Sequence, residues 1–78
     1  MRDVVLYLAR ALVDEPGRVS VEELPGGRGV TYEIRTAPDD VGKLIGRGGR
    51  TVKALRRVVK AVAPKGRRVE VEVLAEGE

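Results

Sequence analysis

With 78 residues and a net charge of +3, the chain has room for one small domain, residues 1–78, with a thin core. It contains no cysteine and no histidine, which excludes a disulfide framework, a thiolate metal site and the commonest general base, so no cofactor or metal is expected. Met1-Arg2-Asp3 lacks the pattern of a secretory leader and no apolar run reaches membrane length, so a cytoplasmic protein with no membrane partner is expected.

Along the chain, Arg2 to Val13 carries Val4, Val5, Leu8, Ala9 and Leu12 on one helical face, and Glu15-Pro16-Gly17 stops that helix. Val19 to Leu24 fits a short strand, and Pro25-Gly26-Gly27-Arg28-Gly29 a turn. From Val30 to Thr36 the residues alternate, with Val30, Tyr32 and Ile34 facing one way, which predicts a second strand and an antiparallel hairpin. Ala37-Pro38-Asp39-Asp40 opens a short helix to about Ile45: proline suits a first helical turn, and carboxylates suit the positive end of the dipole. Asp39 and Asp40 are therefore read as a helix start, not as a metal pair. A glycine turn follows, Gly46-Arg47-Gly48-Gly49, and then a longer helix from about Arg50 to Ala63 with Val52, Leu55, Val58, Val59 and Val62 as its apolar stripe. Pro64-Lys65-Gly66 ends it. Val69, Val71 and Val73, alternating with Glu70 and Glu72, predict a last strand.

The order is α-β-β-α-α-β. The two-helix crossover between the last two strands is long enough to deliver a parallel pair. An α+β domain is expected, a mixed three-stranded sheet with three helices on one face and Glu33, Arg35, Glu70 and Glu72 on the solvated face.

Charge is divided unevenly along this order. Lys43 to Arg68 holds ten of the fifteen basic residues and no acidic one, and the remainder sets five basic residues against all twelve acidic ones, a net of −7. One face thus suits a polyanion; a merely solvated basic helix is the plainer alternative. Arg50, Lys53, Arg57 and Lys60 fall on one stripe of the long helix, away from the core. The chain also lacks Asn, Gln, Phe and Trp, a bias that suits a thermophile and equally a GC-rich genome.

The glycine turn fits neither common nucleotide motif. A P-loop needs a glycine where Leu44 stands and a lysine where Arg50 stands, and the dinucleotide fingerprint needs a glycine in place of Thr51. Both also require a strand before the turn, where a helix is expected. What remains is helix, Gly-x-x-Gly, helix. Unpaired amides at the start of the second helix, its dipole and Arg47 converge there, a setting for a phosphate backbone. A tight helix–helix corner would use glycine too; the surrounding basic charge argues against so plain a role.

Leu44-Ile45-Gly46-Arg47-Gly48-Gly49-Arg50-Thr51-Val52 resembles the signature of the KH domain, and the element order resembles its type II form. Size, N-terminal helix and the Ala-Pro-Asp-Asp-Val-Gly-Lys run are similar to the bacterial single-KH proteins of the KhpA family. That resemblance implies a loop that clamps about four nucleotides of single-stranded RNA. Gly46 and Gly49 would be the loop glycines, Arg47 and Gly48 the variable pair, and Lys43, Arg50, Lys53 and Arg57 the flanking phosphate contacts. Val41, Leu44, Ile45 and Val52, with Ile34 from the sheet, would line an apolar base groove. Ile45 is favoured as a groove residue, and Val41 and Leu55 as core. Lys65, Arg67 and Arg68 extend the phosphate track or simply solubilise the strand. Aromatic platforms are absent apart from Tyr7 and Tyr32, and there is no amide side chain for base readout, so weak sequence preference and strong salt dependence are expected. The resemblance further implies a non-catalytic RNA chaperone or post-transcriptional regulator that pairs with itself or with a larger KH-containing protein.

Overall fold

The computed structural model describes residues 1–78. Helix α1 spans Arg2–Leu12, strands β1 and β2 span Ser20–Gly26 and Gly29–Thr36, α2 spans Val41–Ile45, α3 spans Arg50–Val62 and β3 spans Arg68–Ala75. Single 3-10 turns, Pro38–Asp40 and Arg47–Gly49, lead into α2 and α3. The sheet order is β1-β2-β3. β1 pairs antiparallel with β2, from Ser20 opposite Arg35 to Gly26 opposite Gly29. β2 pairs parallel with β3, from Gly29 beside Arg68 to Thr36 beside Ala75. The expected α-β-β-α-α-β order and mixed sheet are therefore present.

The hairpin is tighter than its composition predicts. Pairing continues through Pro25 and Gly26, so only Gly27 and Arg28 remain as the turn. β1 is an edge strand, where proline's missing N–H leaves no ladder partner unsatisfied.

Alternation on the strands and the helical stripes converge on one core. Val5 and Ala9 of α1, Val21, Tyr32, Ile34 and Val69 of the sheet, and Leu44, Leu55 and Val59 of the later helices are all buried. Tyr32 lies inward, as its strand parity predicts, and burial together with the Glu23 carboxylate pushes its phenol up to about 12. The core is thin: only 14 of 78 residues are buried. Val4 and Leu12 on α1 and Val58 and Val62 on α3 stay exposed, although both stripes include them. The two stripes are wider than the sheet contact, and α1 covers only part of α3's flank.

The outer sheet face is also less uniform than expected. Glu70 and Glu72 are exposed, but Glu33 and Arg35 are half-buried and ion-paired with each other. They sit on the central strand, where neighbours on both sides shield them. Arg35 also donates from Nε to the Glu78 carbonyl at 3.2 Å.

Candidate nucleic-acid interface

The approach to the glycine turn is fixed from a distance. Asp40 is 1% exposed, and its carboxylate accepts the amides of Asp14 and Glu15 at 3.2 and 3.0 Å. Those amides belong to the connection after α1, so one side chain ties it to the start of α2. Lys43, one helical turn on, pairs with Asp14 and with Asp40, the latter at 3.5 Å. Burial alone would raise the Asp40 carboxyl, but the two amide bonds and Lys43 outweigh it and hold the group below the usual carboxylate range. The bond to Asp14 holds the Lys43 ammonium above its usual value. Asp39, by contrast, is exposed. No group of three or more metal-ligating side chains comes together.

A pH dependence follows from the Asp40 clamp. A carboxyl depressed in the fold contributes stability above its unfolded value of about 3.9, and that contribution is lost as pH falls through the lower folded value. The Asp40→Asn variant should melt below wild type at pH 7, with the gap narrowing as pH drops under about 4. Melting curves by circular dichroism check this; a gap that stays constant through that range refutes the clamp's charge dependence.

α2 stops at Gly46, whose φ of 74° and ψ of 167° lie where only glycine is comfortable. Its amide donates to the Gly42 carbonyl at 2.8 Å, and its carbonyl accepts the Gly49 amide at 3.0 Å. Gly48 and Gly49 also take positive φ, 64° and 78°. No side chain caps α3 at Gly49; the Gly49 amide turns back to the Gly46 carbonyl and the Arg50 amide to the Arg47 carbonyl, so the amides expected to be free at this helix start are in part already bonded. Thr51 presses against the turn from behind: a Cβ built at Gly46 would meet its amide nitrogen at 2.8 Å and its hydroxyl closer still. Thr51 has no role that local sequence reveals, because the contact exists only once α3 folds back over Gly46. At Gly48 a Cβ would meet nothing within 4 Å. The turn thus has a packed side at Gly46 and an open side at Arg47 and Gly48.

The candidate cations follow the open side onto the exposed surface of α3. Arg47, Arg50, Lys53, Arg57 and Lys60 are all exposed. Of the ten basic residues between positions 43 and 68, only Lys43 and Arg56 have a carboxylate partner. Arg56 reaches Glu70 of β3 at 4.0 Å. The other eight cations are unpaired, so the field of this flank is not cancelled internally. Ile45 is 37% exposed beside the turn, whereas Val41 and Val52 are half-buried. Leu44 and Ile34 are fully buried and form the floor beneath, not an accessible groove. Lys43 is brought to the site but is already engaged.

Residues 2–73 match the model of a family described as KhpA/KhpB, KH domain. A protein of Mycobacterium tuberculosis named RNA-binding protein KhpA is 48% identical over 69 residues, covering 88% of this chain and 86% of the relative. Its namesake in Clostridium acetobutylicum is 43% identical over 75 residues, covering 95% of this chain and all of the relative. Among solved structures, Era in complex with MgGDPNP and nucleotides 1506–1542 of 16S ribosomal RNA superposes with a TM-score of 0.65 at 20% identity. The match covers 94% of this chain and 29% of that one, and at this identity it shows a shared fold. With three helices, a mixed three-stranded sheet and the glycine turn in place, the chain belongs to the KhpA/KhpB family of KH-domain proteins.

Proposed function

We propose that the whole chain is one non-catalytic KH module that holds single-stranded RNA. The carrying observation is the open glycine turn at the start of α3, with the exposed and unpaired Arg47 on it and Arg50, Lys53 and Arg57, likewise exposed and unpaired, following along that helix. Phosphates would lie against Arg47 and the positive end of the α3 dipole at the turn, and on Arg50, Lys53 and Arg57 along the helix; Ile45 would meet a base. With no aromatic platform and no amide side chain, base identity is read weakly, which suits an RNA chaperone or a post-transcriptional regulator in a bacterial cytoplasm. The relatives' name supports the RNA assignment. Titration of single-stranded RNA at several salt concentrations tests it. Saturable binding that weakens steeply with salt is expected, and no binding at low salt sinks the reading.

A second reading, protein pairing, is favoured by a different observation. Between α1 and α3 lies a largely apolar groove lined by Leu8, Leu12, Ala54, Leu55 and Val58, with Arg50 and Thr51 at the end nearest the glycine turn. Leu12 and Val58 are more than two-fifths exposed, and Val62 further along α3 is 56% exposed. We read this flank as a self-association surface for a second copy, because so thin a core gains from pairing and the patch offers apolar knobs and a groove together. The surface would equally admit the larger KH-containing partner. Light scattering should show wild type as a dimer and Val58→Glu as a folded monomer. A monomeric wild type at high micromolar concentration overturns this.

A further inference from the structure

The end of α3 away from the glycine turn carries a second cationic feature. There the Gly27-Arg28 turn folds beside the start of β3 and encloses a cleft of about 490 Å³. Arg28, Arg68 and Glu70 contribute its charged walls, and Gly27, Gly29 and Gly66 leave its backbone bare. The Arg68 amide donates to the Arg28 carbonyl at 3.3 Å, so the two arginine side chains spring from directly bonded backbone. That closeness needs Gly29: a Cβ there would press into the Arg68 carbonyl and meet the Arg68 Cβ at 2.8 Å. Neither arginine has a carboxylate partner, although Glu70 lines the same cleft. Two uncompensated like charges rooted on neighbouring backbone and lining one cleft favour an anion there.

The cleft opens on the sheet face away from the helices, where Arg68 and Glu70 point, and meets the basic flank of α3 around the edge strand β3. Glu70 lines it and also reaches Arg56 of α3 at 4.0 Å around the edge of β3, so its own charge is offset there. Lys60 in the last turn of α3 and Lys65 in the connection bridge the interval, both unpaired. We propose that the Arg28–Arg68 cleft is a second phosphate subsite for the same RNA strand after it leaves the glycine turn. This rests on the single-stranded RNA reading above. The spacing sets a length. α3 has 13 residues, about 20 Å at the helical rise. At about 3.4 Å per stacked nucleotide that is about six nucleotides beyond the roughly four held at the turn. A strand of about six nucleotides therefore stops short of the cleft, and one of about twelve reaches both sites.

Fluorescence anisotropy with oligouridylates of about six and twelve nucleotides tests this, using wild type, Arg28→Ala/Arg68→Ala and Arg47→Asp/Gly48→Asp. Arg28 and Arg68 are exposed, so the cleft variant should keep the wild-type circular dichroism spectrum. It should bind the short strand as wild type does, bind the long one about tenfold more weakly, and lose about 1.4 from the slope of log affinity against log salt. A cleft variant that matches wild type on the long strand overturns the subsite and leaves the glycine-turn reading intact. A loop variant that binds both strands as wild type does overturns that parent reading instead, and wild type binding neither strand overturns both.

Discussion

Changing Arg47 and Gly48 together to aspartate should leave the domain folded and weaken RNA binding by on the order of a hundredfold. The fold should survive because both positions lie on the open side of the turn. Arg47 is exposed and unpaired, and a Cβ at Gly48 meets nothing within 4 Å. Gly48 has φ 64° and ψ 18°, the left-handed region that aspartate tolerates better than most residues, at about 1 kcal/mol. Binding should fail because the change reverses one charge and adds another where the helix dipole favours an anion. Two lost charge-assisted contacts at about 1.5 kcal/mol each correspond to roughly two decades of affinity. Titrating one labelled single-stranded RNA against both proteins at fixed salt, with melting curves alongside, separates the two claims. Wild-type affinity in a folded variant would show that RNA does not approach at the turn.

The parts of this site that were legible in the sequence are those set by local rules. Alternation in Val30 to Thr36 and in Val69 to Val73 placed both parallel strands, and the spacing of Arg50, Lys53, Arg57 and Lys60 placed them on an exposed stripe. What was hidden depends on contacts between distant segments. Asp40 looked like a helix-start carboxylate; its task is to bind the amides of Asp14 and Glu15, some 25 residues earlier. Lys43 looks like a free phosphate contact for the same reason, since only the return of the α1 connection brings Asp14 to it, beside the local Asp40. Pro25 looked like a turn residue, yet an edge position lets it stay in the strand. Thr51 was invisible as a buttress because nothing in local spacing says that it faces Gly46.

The two flanks of α3 also divide the work. Leu55 and Val59 face the core, Val58 and Ala54 turn towards the groove with α1, and Arg56 turns towards β3. A second protein copy on the α1 flank would leave the β3 flank open. Arg50 also lines the α1 groove, so a second copy would compete with RNA for that one cation while Lys53, Arg57 and Lys60 stay exposed; a dimer would still present two basic stripes to one long strand.

Gly46→Ala should damage the fold itself, lowering the melting temperature by more than about 12 °C. Two independent penalties coincide there. At φ 74° and ψ 167° the backbone occupies a region that is essentially confined to glycine, and forcing alanine into it costs about 1–3 kcal/mol. The added methyl would also lie 2.8 Å from the Thr51 amide nitrogen, which is backbone inside α3 and cannot swing aside. Relief requires moving α3 relative to α2, and Leu44 and Leu55, packed in the same core, resist that. The sum is about 3 kcal/mol or more, at about 4–8 °C per kcal/mol for a domain of this size. A Thr51→Ala change added to Gly46→Ala removes the hydroxyl overlap but not the amide one, so it should recover only part of the loss. Gly48→Ala is the control: equally positive φ, open space, and an expected cost of about 1 kcal/mol. Thermal melts of the four proteins order the penalties, and a Gly46→Ala melt no lower than that of Gly48→Ala would mean the turn is not packed against Thr51.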